Sequence, residues 1–243
     1  MKFILVALLV GACLTISWPT AEKTHVGGPY IISEGKTFDG LKIAKGWHKY
    51  GRRRLNHDDC NKVKGKSDAS FILKKGATLK NVIIYGHVYC EGEGCTLENV
   101  YWEDVCDNAL TFENGNSTGS KYYVKGGGAR NVKNKIIENN SAGTVYISNF
   151  YCENSGKLYG ACGNCKSGYQ GKRNVVMDNV ALKNVSIAAE HNSNFGDTVT
   201  LNNVKVGGGH VCRAFKGRND GKEPTALGYK CDTKGIIKLC VCK

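Results

Sequence analysis

Short runs of apolar and β-branched residues, each closed by Asn, Asp or Gly, recur along most of this chain. Thr78-Leu-Lys-Asn-Val82, Thr96-Leu-Glu-Asn-Val100, Thr144-Val-Tyr-Ile-Ser-Asn149, Val175-Val-Met-Asp-Asn-Val180 and Thr200-Leu-Asn-Asn-Val204 are variants of one phrase. Runs of this length and composition, bounded by turn formers, predict strands. The phrase returns after 18 residues from Asn81 to Asn99 and after 24 from Asn179 to Asn203, spacings that fall in the range of a solenoid repeat. A single coil cannot bury its inward face, so coils must stack, and their strands then run parallel.

Two all-β folds accommodate such strands, an antiparallel sandwich and a parallel β-helix. The Asn that follows a strand in successive repeats favours the β-helix, because stacked amide side chains hydrogen-bond from one turn to the next. Gly126-Gly127-Gly128 lacks the strand-to-helix setting of a phosphate loop and reads as a coil corner. No Pro- or Ser-rich linker divides the chain, and 243 residues less a leader suffice for one domain with a substantial core.

Met1-Lys2, the apolar run Phe3 to Leu14 and the small residues of Thr15-Ile-Ser17 read as a signal peptide over 1–17, leaving a domain over 18–243. The apolar run is too short for the roughly 20 residues of a membrane span. The expectation is a secreted, extracellular protein without a membrane partner. Of twelve cysteines, Cys13 lies in the leader and eleven remain. Export favours disulfides, and the odd number leaves one thiol over. Cys162-Gly-Asn-Cys165 reads as part of that framework, since no second pair at zinc spacing accompanies it.

The formal charge of +13 suits a polyanionic partner. The densest basic run, Arg52-Arg53-Arg54 preceded by His48 and Lys49, has no interleaved aromatic residues and reads as a solvated loop, which argues against nucleic acid. Acceptor sequons stand at Asn116, Asn139 and Asn184, of which Asn184, inside a strand phrase, is the least suited to a glycan.

Several blocks are more specific. Cys95-Thr-Leu-Glu-Asn-Val-Tyr-Trp-Glu-Asp-Val-Cys106, Gly126-Gly-Gly-Ala-Arg-Asn131, Gly143-Thr-Val-Tyr-Ile-Ser-Asn-Phe-Tyr151, Gly156-Lys-Leu-Tyr159 and Cys162-Gly-Asn-Cys165 together resemble the pectate lyases of polysaccharide lyase family 3. Trp18-Pro-Thr-Ala21, Thr37-Phe-Asp-Gly40, Gly76 to Ile84, Asn192 to Asp197 and Glu223-Pro-Thr225 extend the likeness in order along almost the whole mature chain. The resemblance implies a single-domain, right-handed parallel β-helix and cleavage of polygalacturonate by calcium-assisted β-elimination.

That reaction removes a weakly acidic C5 proton and pushes charge onto the C6 carboxylate, so cations near the carboxylate stabilise what develops. Calcium serves as a hard Lewis acid, and a Lys or Arg serves as the base. The ordinary lysine pKa, near 10.4, is high for a base, so neighbouring positive charge and desolvation are expected to prepare it. The matched segments put the catalytic lysine at Lys135 and a second cation, for the substrate carboxylate, at Lys157; the family's arginine position is Gly160. The matched calcium positions are Asp107, Asn108 and Asn134, with Gly86 where another acid would stand. Amide oxygens can ligate calcium, but affinity depends on charge and ligand count, so binding is expected to be weak or lost. Glu103 and Asp104 point to opposite faces of a strand and cannot converge on one ion. Trp102 and Tyr101 read as core contacts before sugar platforms, and His87 is given no role.

Two function classes follow. One is a monomeric, secreted pectate lyase acting on pectin with Lys135 and Lys157. The other is a polyuronate-binding effector that keeps the basic groove without the chemistry. A third, weaker class binds anionic membranes or nucleic acid through charge alone and predicts steep salt sensitivity across all polyanions.

Overall fold

The computed structural model describes residues 17–51, 65–231 and 235–243. The leader up to Ile16, the Arg52-Arg53-Arg54 run, Cys13 and Cys60 lie outside the described residues. The strands are β1 (Ala21–Val26), β2 (Tyr30–Ile32), β3 (Thr37–Asp39), β4 (Trp47–Gly51), β5 (Phe71–Leu73) and β6 (Thr78–Tyr85). They continue as β7 (Val88–Glu91), β8 (Thr96–Glu103), β9 (Leu110–Glu113), β10 (Lys121–Arg130), β11 (Lys135–Asn139) and β12 (Gly143–Ala161). The last are β13 (Arg173–Asn192), β14 (Thr198–Gly207), β15 (His210–Lys216), β16 (Thr225–Lys230) and β17 (Gly235–Cys242).

Pairings from coil to coil are parallel throughout the stack, and only β14 with β17 and β15 with β16 pair antiparallel among the described residues. The architecture is the parallel β-helix, with three faces. β12 and β13 each run through all three as continuous bent strands. Inward positions align rung by rung: Leu79, Leu97, Val124, Ile147, Met177 and Leu201 share one file and are all buried. Each such side chain contributes about 1.5–3 kcal/mol of burial. No helix among the described residues is long and apolar enough to cross a membrane.

The recurring Asn sits at the corner between the first two faces. Asn81, Asn99, Asn149, Asn179 and Asn203 all have φ between 50° and 56°, the left-handed region that Asn tolerates better than other residues bearing a Cβ. Their amides stack: Asn99 donates to Asn81 at 3.2 Å, Asn179 to Asn149 at 2.6 Å and Asn203 to Asn179 at 3.2 Å. Gly126 takes the same corner with φ 66°; a Cβ there would come within 2.5 Å of the Asn99 amide oxygen. Asp39 starts the row by accepting from Asn81 at 2.8 Å. A second corner, Asp104, Asn131, Asn154 and Asn184, repeats the device.

Disulfides join Cys90 to Cys95, Cys162 to Cys165 and Cys231 to Cys240, and Cys106 is disulfide-bonded too. Cys152 is a thiol in the core. Trp102 is fully buried, and Tyr101 packs edge-on against Trp18 and Trp47. One expectation about the sequons is corrected: Asn139, not Asn184, is the closed one, because its side chain is buried and donates to the Tyr159 hydroxyl at 3.0 Å, whereas Asn184 stands at an exposed corner.

Candidate functional site

The two lysines matched from the sequence lie on the third face. Lys135 opens β11, and parallel pairing sets Lys157 directly beside it on the next coil. Three residues further along β11, Glu138 belongs to an outward file formed by Thr111, Glu138, Gly160, Glu190 and Arg213, one residue per coil. Lys135 Nζ lies 2.9 Å from Glu138 Oε1, and Lys157 Nζ lies 3.0 Å from Glu190 Oε2. Each lysine therefore sits against a carboxylate, in place of the crowd of unopposed cations expected from the reaction. Gly160 leaves a gap in the file. A Cβ at Gly160 would stand 2.9 Å from Lys135 Cδ and 3.3 Å from Cε, so the lysine stem crosses where a side chain would otherwise be. Lys135, Glu138, Lys157, Glu190 and Arg213 line one open cleft of ≈ 530 Å³.

Asp107, Asn108 and Asn134 lie at the adjoining corner, just before β9 and β11. Asn134 Nδ2 donates to Asp107 Oδ1 at 2.9 Å, while Asn108 Nδ2 donates to Glu138 Oε2 at 2.5 Å. Glu138 thus links the candidate cation corner to Lys135. His87 borders the corner, buried and stacked 4.1 Å from the Tyr89 ring, with Nε2 2.8 Å from the Thr111 hydroxyl. Burial lowers its pKa to about 4 even though Asp107 pulls the other way. Asp68, from the 3₁₀ turn Gly65–Asp68 of an earlier coil, lines the same corner cavity as His87 and Asp107.

This arrangement has counterparts. The pectate lyase family profile matches residues 15–222. A probable pectate lyase F of Aspergillus terreus is 40% identical over 238 residues, covering 93% of this chain and 96% of that protein.

The chain belongs to the pectate lyase family.

Pectate lyase E of Emericella nidulans is 43% identical over 204 residues, 81% of this chain and 76% of its own. Among solved structures, the catalytic domain of pectate lyase PelI from Erwinia chrysanthemi superposes with a TM-score of 0.65 at 27% identity, over 88% of this chain and 92% of that one. PelI in complex with tetragalacturonic acid gives 0.63 at 27% identity, over 88% and 66%.

Against that pectate lyase background, the cation corner fits calcium in kind. Asp107 and Glu138 bring carboxylates, and the Asn108 amide oxygen is buried with no hydrogen-bond partner, an acceptor of the hard type that calcium prefers. Among the described residues no three acids or histidines here bring their ligand atoms within 4.8 Å of one another, so amide oxygens have to complete a shell. Glu103 is taken up elsewhere, buried against Arg130 and Lys49 at 2.5 and 2.6 Å, and Asp104 serves the second corner row. Glu138, Glu190 and Arg213 were not singled out from sequence. Strand alternation would put Glu138, three residues past Lys135, on the opposite face, so spacing gave no signal for it; Glu190 and Arg213 declare themselves only through coil register.

Proposed function

We propose that the protein cleaves polygalacturonate by β-elimination, and that the cleft over β11 and β12 is the active site. The carrying observation is the pair of adjacent rungs Lys135 and Lys157, each fixed by its own glutamate, facing one open cleft. A uronate in the cleft presents its C5–H to the amine of Lys135, which takes the proton while the C4–O bond breaks, the departing oxygen taking a proton from solvent to leave as a hydroxyl, and a C4–C5 double bond forms. Lys157 neutralises the C6 carboxylate as charge moves onto it. Glu138 and Glu190 hold the two lysines in register with the sugar, so the reacting groups need not be gathered at each turnover. Asp107, Asn108, Asn134 and Glu138 would hold calcium, which when bound supplies Lewis-acid stabilisation of the developing carboxylate charge. The apolar leader supports export, which would bring the protein to pectin as a secreted enzyme.

The test follows ultraviolet absorbance of the unsaturated uronate product as protein meets polygalacturonate. Lys135→Ala should lower kcat by about 10³-fold, with product formation by the unaltered chain falling on chelation. Gly160 in place of arginine favours a second reading, a pectin-binding protein without turnover; absence of product together with retained binding would establish it.

A further inference from the structure

Arg213 differs from the other two cations of the cleft. Its guanidinium lies 4.7 Å over the Phe215 ring and 5.8 Å from the Tyr229 ring, both on the β15–β16 hairpin. Nη1 comes to 3.6 Å from Glu190 Oε1, too far for a hydrogen bond, and that oxygen is buried without a partner. Lys135 and Lys157 each lean on a carboxylate within 3.0 Å, whereas the Arg213 guanidinium is stacked on a ring, stays at ion-pair but not hydrogen-bond distance from Glu190, and lines the cleft. A planar fork of donors held in this way matches a carboxylate with two parallel hydrogen bonds.

Its place in the file is equally specific. Gly160, Glu190 and Arg213 occupy consecutive rungs, so Arg213 stands roughly 10 Å along the stack from Gly160. The stem of Lys135 fills the space above Gly160, and the file's arginine is supplied from two coils further on.

We propose that Arg213 binds the carboxylate of the uronate next to the one held by Lys135 and Lys157, and so makes the cleft demand two neighbouring free acids and reject methyl-esterified pectin. This rests on the reading of the cleft as a polygalacturonate site. A charge-assisted fork loses both its charge partner and one acceptor when the acid is esterified, which penalises the ester strongly.

The experiment is calorimetric binding of tetragalacturonate and of its methyl ester, which needs no turnover, performed on the unaltered chain, on Arg213→Gln and on Arg213→Lys. The unaltered chain should prefer the free acid by about 100-fold, Arg213→Gln should lose most of that preference, and Arg213→Lys, with charge but no fork, should keep about a tenth of it. An Arg213→Gln protein that melts normally and keeps the full preference overturns the proposal. Should Arg213→Gln not fold, an undiminished preference in Arg213→Lys overturns it equally. Absence of unsaturated product from the unaltered chain would refute cleavage while the binding ratio still decides the role of Arg213. Failure of the unaltered chain to bind either oligomer refutes both.

Discussion

A single hydrogen atom in place of a side chain at Gly160 sets the course of Lys135. Gly160→Ala puts a methyl group 2.9 Å from Lys135 Cδ, and because the obstacle is a flexible stem, the stem and not the backbone yields. kcat/KM on polygalacturonate should fall by about tenfold or more through displacement of the amine, with the melting temperature nearly unchanged. Tyr159, next to Gly160, is buried and bonded to Asn139, and burial raises its phenol pKa well above the ordinary value despite that bond; the half-buried Tyr89 is pushed up to about 12. A raised phenol stabilises the fold while neutral, so this contribution is complete below the ordinary tyrosine value near 10 and is lost as pH rises through the folded values. Melting temperature should therefore drop above about pH 10, and Tyr159→Phe should soften the drop while costing about 1 kcal/mol for the lost hydrogen bond. Lys135 and Lys157 could be singled out because each lies in or beside a distinctive block of sequence, and the structure sets them on adjacent rungs. Their glutamates could not be, because a Lys–Glu contact across coils depends on register, which a chain with irregular coil lengths does not state.

At the level of the coil, the corner asparagines stack their amides as the recurring phrase foretold, and the structure adds what the phrase did not state, that the same residue supplies a left-handed bend. Asn179→Ala should destabilise by about 2 kcal/mol, combining left-handed strain with two broken amide contacts, and Asn179→Gly by less, since glycine keeps the bend; thermal melts of the two variants separate the contributions. The loop between β12 and β13 is pinned by a residue that carried no sequence signal. Arg173 is 1% exposed and donates to Gln170 Oε1 and to the carbonyls of Gly171, Asn140 and Tyr169. Arg173→Met leaves those carbonyls without a donor and should cost about 3 kcal/mol by denaturant unfolding. A buried arginine cannot be told from a surface one by composition in a chain with 34 lysines and arginines.

The molecule as a whole ends its stack with strands turned against the grain. β17 lies antiparallel on β14 and β16 on β15, covering edges that would otherwise offer unpaired backbone to a second molecule. Removal of residues 235–243 should uncover the β14 edge and shift the protein to oligomers or aggregates in size-exclusion chromatography. Parallel coils were readable from the phrase spacing, but the antiparallel close was not, since β16 and β17 carry no such phrase and their pairing depends on where the stack stops. The file from Thr111 to Arg213 has a further consequence. Since every coil contributes one peg to the same row, a lineage can lose a charge from one hole and regain it in another without redrawing the backbone. An inhibitor shaped to the usual hole would miss a protein whose peg has moved, although the board beneath the two is the same.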